Sequence, residues 1–195
     1  MVKIGEVIQS SSMDFVSEGY DLKKPPAIGS FVSAGQNEPY IIGIVQNVRV
    51  EPFDVTRPVL ARGQDMANES DVFNENPQLM DLLTVRFDCI TVGTKQSIGI
   101  FEGYPPLPPM IHSFVYPTEV DILLEFVRSL NFIKTVLNTR TSDPDLLLIA
   151  CVREIYSVLE GEEGQILAQT LKQKLVSELA RDSSRLIKIL QYLGD

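Results

Sequence analysis

One histidine, His112, and two cysteines, Cys89 and Cys151, are all that the 195 residues offer of those two types. No CxxC pair and no His/Cys cluster occurs, which argues against a structural zinc site. A catalytic thiol needs a base nearby, and no spacing ties His112 to either cysteine. Both cysteines sit inside apolar runs, where free thiols are ordinarily buried and reduced. No apolar run approaches the roughly 20 residues that span a bilayer. The opening "MVKIGEVIQSSS" has no apolar block of signal-peptide length, so the expected location is the cytoplasm, with no membrane contact. The phosphate-cradling GxxxxGK[ST] is missing as well. "VGTKQS" at Val92 to Ser97 has the right letters without the leading glycine or the GK[ST] order. Positive charge is short: Lys and Arg number 17 against 26 Asp and Glu, a net charge of −9. Such a surface repels phosphate backbones, so direct binding of nucleic acid is not expected.

What is present is an ordinary globular composition, 44% hydrophobic and 22% charged, in a chain long enough to bury a core. Its periodicity changes once. Up to about Tyr116 it reads as β. Val2, Ile4, Glu6 and Ile8 begin a strand in which Gly5 marks a bulge or a close approach. "GSFVSAG" is a short strand between glycines. "YIIGIVQNVRVE" is the clearest strand. From Ile44 on, Gln46, Val48 and Val50 take one face, and Val45, Asn47 and Arg49 the other. Its first half is apolar on both faces, as where a strand enters a closed barrel. "LLTVRFDCITVG" puts Leu83, Val85, Phe87, Cys89 and Thr91 on one side. Between the last two strands lies an acidic loop, residues 52–78, too long for a plain connection and hence functional or mobile. "NPQLMDLL" at its end suits one helical turn.

Beyond "VYPTEV" the period becomes 3.6. Thr118 is a candidate N-cap for a helix carrying Leu123, Phe126, Val127, Leu130, Ile133 and Leu137 on one face, up to Asn138. A second helix starts at Asp143 with Pro144 at its first position. Its "LLLIACV" is apolar almost all round, so it should be the buried centre. "EGEEG" punctuates. A third helix turns Ile166, Leu167, Leu171, Leu175 and Leu179 inward. A short fourth carries Leu186, Ile187, Leu190 and Leu193. Strands followed by helices imply an α+β fold: a closed antiparallel barrel over 1–116, then a bundle of about four helices over 117–195.

Features that could carry chemistry have plainer readings. "PPLPP" at Pro105 to Pro109 contains a polyproline ligand pattern, yet a rigid rim connection explains it. Asp143 and Asp145 flank Pro144 as helix caps rather than metal ligands. Tyr40, Phe114 and Tyr116 could stack bases, but no Lys/Arg is interleaved with them. Lys172, Lys174, Arg181, Arg185 and Lys188 read as solvated helix faces. The sequence therefore assigns no catalytic, cofactor-binding or metal-ligating residue and no cofactor, and it leaves the partner-binding residues unknown.

One phrase occurs twice: "PPAIGSFV" at Pro25 to Val32 and "PPMIHSFV" at Pro108 to Val115. Two prolines enforce an extended lead-in, and Ile, Phe and Val then re-enter the core in alternation. Two similar corners of a barrel are the expected cause. The pattern "IGEVIQSSSMDFVSE", "PPAIGSFVSAG", "YIIGIVQNVRVEP" resembles the HAS-barrel, the small β-barrel of HerA helicases and ATP synthases, over roughly residues 1–120. "PPLPPMIHSFVYPTEVDI" resembles the segment by which that barrel hands over to the next domain. The resemblance implies oligomerisation and partner docking. It does not imply ATP hydrolysis, because the phosphate motif is missing. The expected function is a non-enzymatic scaffold or adaptor that binds a protein partner or its own copies. The alternative is an accessory factor of a nucleic-acid-processing complex.

Overall fold

The computed structural model describes residues 2–54, 56 and 58–193. Seven strands form one sheet: β1 (Gly5–Ser10), β2 (Asp14–Gly19), β3 (Phe31–Ala34), β4 (Tyr40–Pro52), β5 (Leu83–Gln96), β6 (Gly99–Glu102) and β7 (Phe114–Pro117). Their order is β2-β1-β7-β3-β4-β5-β6, and β2 also pairs with β5. Six strands thus close into a ring, all pairings antiparallel, with β6 added as a hairpin beside β5. Closure gives each of these six strands two neighbours, and the four-residue β6, paired with β5, keeps an open edge too short to invite much pairing with other chains.

The repeated phrase marks an internal two-fold relationship. In the first copy, Ser30 N–H donates to Ala27 O, Gly29 N–H to Val45 O, and Val45 N–H to Ser30 O. In the second, Ser113 N–H donates to Met110 O, His112 N–H to Val7 O, and Val7 N–H to Ser113 O. β3 with β4 therefore corresponds to β7 with β1. Val32 pairs with Gly43, as Val115 pairs with Gly5. The correspondence continues into β2 and β5, since β1 bulges between Val7 and Gln9 and β4 between Val45 and Asn47. Ser17 faces Phe87 and Phe15 faces Cys89, a register symmetric about Val16 and Asp88. A Cβ on Gly43 would lie 2.8 Å from the Phe15 ring, and one on Gly5 would lie 3.1 Å from the Phe87 ring. Each glycine thus makes room for the aromatic ring of the other half.

The bulge corrects the alternation expected for β4. Gln46 is its extra residue, so Val45 and Val48 both contribute to the barrel interior although three positions apart. β2 is not marked by the pattern, because Ser17 occupies a buried core-face position beside Phe15.

α1 (Glu69–Glu75) and a 3-10 turn (Pro77–Leu82) lie between β4 and β5. The 3-10 turn is the helical turn expected from "NPQLMDLL". α1 was not expected, although Asn68 and Asp71 signal it: the Asn68 N–H donates to the Asp71 carboxylate at 3.3 Å.

Five helices follow β7: α2 (Val120–Val127), α3 (Phe132–Leu137), α4 (Pro144–Val158), α5 (Gly161–Glu178) and α6 (Ser183–Leu193). The helix expected from Thr118 to Asn138 is two. Leu130 takes a left-handed φ of 58° and is buried, so core packing breaks the helix where its sequence pattern runs on. Glu119, not Thr118, precedes α2, and the Thr118 hydroxyl lies 3.1 Å from that of Ser33. α5 begins within "EGEEG", and Ile166 faces solvent rather than inward. On α6 it is Ile189 that is fully buried, while Ile187 is exposed.

Two apolar cores divide the interior. Val7, Phe15, Val45, Phe87 and Val115 fill the barrel. The second core joins Phe31, Ile42, Ile44, Ile90 and Val92, on the outer wall, to residues of α2 through α6. The double-sided hydrophobicity of β4 follows directly: one face lines the barrel and the other lies under helices. Phe31 anchors this seam, its ring edge-on to Phe126 at 6.1 Å and to Phe132 at 5.8 Å.

Candidate functional site

The residues with the most chemical potential are engaged elsewhere. Cys89 lies in the barrel core and Cys151 in α4, and burial pushes both thiols well up, away from the nucleophilic thiolate. His112 is exposed and bonded through Nδ1 to Glu6. That bond, then one from the Tyr20 hydroxyl, holds the Glu6 carboxyl below its ordinary range. Lys95, the lysine of "VGTKQS", belongs to β5 and lies 3.4 Å from Glu125. Asp143 caps α4, accepting from the amides of Asp145 and Leu146, and Asp145 pairs with Arg185. Among the described residues no group of three His, Cys, Asp or Glu could hold a metal ion.

The stacking candidates are similarly committed. Lys3 covers Phe114 at 4.2 Å, and Tyr40 is half-buried. In "PPLPP", Pro105 and Pro109 are buried, and the Ser10 hydroxyl donates to Pro109 O at 2.6 Å. The segment is thus fastened to the barrel. Of the tail cations, Lys174 pairs with Glu178, Arg185 with Asp145 and Lys188 with Asp143.

A cleft of about 580 Å³ separates the barrel from α3. Asp14, Gln46, Tyr104, Lys134 and Arg140 are on its walls. Lys134 lies 3.5 Å from Glu178. The lining mixes signs and contains no nucleophile paired with a base.

A different kind of surface stands between β4 and β5. The two strands stay paired to Pro52 and Leu83, and Phe53 N–H donates to Leu82 O at 2.8 Å. That contact closes the neck of an excursion over Phe53–Leu82. Neither α1 nor the 3-10 turn buries a single residue. Instead, apolar side chains surround a groove of about 300 Å³, whose walls include Phe53, Val59, Leu60, Phe73, Leu79 and Leu82. Phe53, Val59 and Leu60 are 67%, 68% and 69% exposed, Leu82 54% and Phe73 41%. Asp65, Glu69, Glu75 and Asp81 are exposed on the same excursion, and none makes an ion pair among the described residues. Asp54 and Arg62 are the charged residues on the groove wall itself. Such a concentration of exposed apolar surface on an acidic excursion marks an interaction site more readily than a fold-stabilising element. The expected loop at 52–78 was legible in its length and acidity. Its apolar residues are scattered in sequence and gather only when α1 and the 3-10 turn fold back on the neck. No known protein family's model matches this chain, and none of the curated proteins matches it.

Proposed function

We propose that the chain is a non-enzymatic adaptor, a HAS-barrel-like domain carrying a helical bundle, that presents the Phe53–Leu82 excursion to a protein partner. The exposed apolar groove on that excursion carries this reading. A segment that contributed only to folding would bury its aromatic residues; Phe53 and Phe73 remain in solvent. The barrel and the helices share the core around Phe31 and so form a stable base for it. The candidate catalytic groups, by contrast, are buried thiols, helix caps or members of surface ion pairs. The nucleic-acid alternative receives no support from the tail, where Lys174, Arg185 and Lys188 are held by carboxylates.

A photoreactive amino acid placed at Phe73 tests the reading in native lysate. Ile98, 82% exposed at the tip of the β5–β6 hairpin, is the control position. Discrete crosslinked species at position 73 and none at 98 are expected. Equal crosslinking at both positions contradicts the proposal.

A further inference from the structure

Building on that docking reading, we infer that the groove takes a basic amphipathic segment of another protein: apolar side chains on one face, lysines and arginines beside them. Two independent observations point there. Apart from Asp54 and Arg62 the groove walls are apolar, so the part of the partner that enters must be apolar too. The excursion around it is acidic in sum, with Asp65, Glu69, Glu75 and Asp81 exposed and Arg62 the cation on the groove wall, so the part that remains outside should be cationic in sum.

The border's arrangement strengthens the second point. Residues 52–82 hold six acids and two arginines. Glu75 ends α1, whose last turn contains no basic residue. A carboxylate there faces the negative end of the helix dipole, an unfavourable placement that a partner's cation would relieve. Asp81 adjoins the groove residue Leu82 and Glu75 stands two residues from Phe73, separations shorter than the screening length of about 10 Å at 0.1 M salt. The same border selects against other occupants. A second copy brings an equally acidic border. Nucleic acid and an anionic membrane surface are repelled by it.

The test uses two synthetic helical peptides with the same leucine face. One carries lysines on its polar face, the other glutamates. Fluorescence anisotropy measures their binding to the full chain. The lysine peptide should bind, less tightly as salt is raised, and the glutamate peptide should not. Phe73→Ser should weaken the lysine peptide roughly tenfold or more, as should the triple reversal Glu69→Lys, Glu75→Lys, Asp81→Lys. Circular dichroism should be unchanged in both, because α1 and the 3-10 turn bury nothing.

If the glutamate peptide binds as well as the lysine peptide, and Phe73→Ser abolishes both, the basic chemistry is wrong while the docking site stands. If the lysine peptide binds Phe73→Ser as tightly as the unaltered chain, general charge attraction explains it and the groove assignment fails. If neither peptide binds, the partner chemistry is overturned, and the photocrosslinking at Phe73 decides the docking reading separately. If sedimentation gives a dimer that Phe73→Ser dissociates, the occupant is a second copy and the inference fails.

Discussion

Gly29 and His112 occupy the same place in two equivalent turns. Their φ angles are 87° and 70°, and each amide donates to a carbonyl of the adjoining strand, Val45 or Val7. Their surroundings differ. A Cβ on Gly29 would come within 2.5 Å of the Ala150 carbonyl carbon in α4, whereas His112 stands in solvent. Helices cover one half of the pseudo-symmetric barrel wall and leave the other open. Phe31 and Phe114 show the same contrast: the first is buried under α2 and α3, the second half-exposed beneath Lys3.

The two positions should answer oppositely to substitution. Gly29→Ala forces a left-handed side chain into the α4 backbone and should cost about 3 kcal/mol or more. His112→Gly relieves about 1–2 kcal/mol of left-handed strain and loses only a solvent-exposed pair with Glu6, which contributes little. Its stability should equal or exceed that of the unaltered chain. Urea denaturation of both variants checks the contrast; equal losses would contradict it.

Phe31→Ala should cost about 3–5 kcal/mol, the usual range for a buried aromatic. Because Phe31 lies in a core shared by barrel and helices, the loss should lower a single transition. Far-ultraviolet and near-ultraviolet circular dichroism should therefore melt together. Loss of the helices while the barrel persists would show that the two parts fold independently.

Acid should weaken the helical part through two carboxyls. A bond from Lys174 at 2.9 Å, chiefly, holds Glu178 below its ordinary range, and the Leu146 amide does the same for Asp143. Both values are depressed in the folded state. Their contribution is therefore complete above the ordinary carboxylate pKa of about 4 and disappears as pH falls through the folded values. Both groups reach solvent, so each is worth about 1 kcal/mol or less. Asp143→Asn keeps a good N-cap but cannot titrate. It should match the unaltered chain at pH 7 and lose less stability in acid; an identical acid limb would contradict the assignment.

Much of the fold was legible because burial and periodicity agreed. β4, β5 and the α4 cap at Asp143 stand where their residues indicate, and the twin phrase marks two real corners. The exceptions have physical causes. Ser17 on the core face hid β2. The bulge at Gln46 reversed the expected facing of β4. The apolar spacing at Leu130 indicates one more helical turn, yet its burial breaks the helix. By contrast "LLLIACV", apolar almost all round, is buried as its composition indicates, at Leu147, Leu148, Ile149, Cys151 and Val152. The groove was the least legible feature, since Phe53, Leu60 and Phe73 share no period and meet only through the closed neck at Phe53 and Leu82.

That neck permits the most direct test of the adaptor account. β4 and β5 already face each other at Pro52 and Leu83, so residues 54–81 can be replaced by an Asn-Gly turn suited to a two-residue hairpin. The replaced chain should keep the barrel's circular dichroism and melt at or above the original temperature, because a long loop is removed without loss of core. Both chains are then immobilised and challenged with the same native lysate, and the retained proteins are quantified. The account predicts a protein held in stoichiometric amount by the full chain and absent from the replaced one. Equal retention of the same proteins by both chains would contradict it.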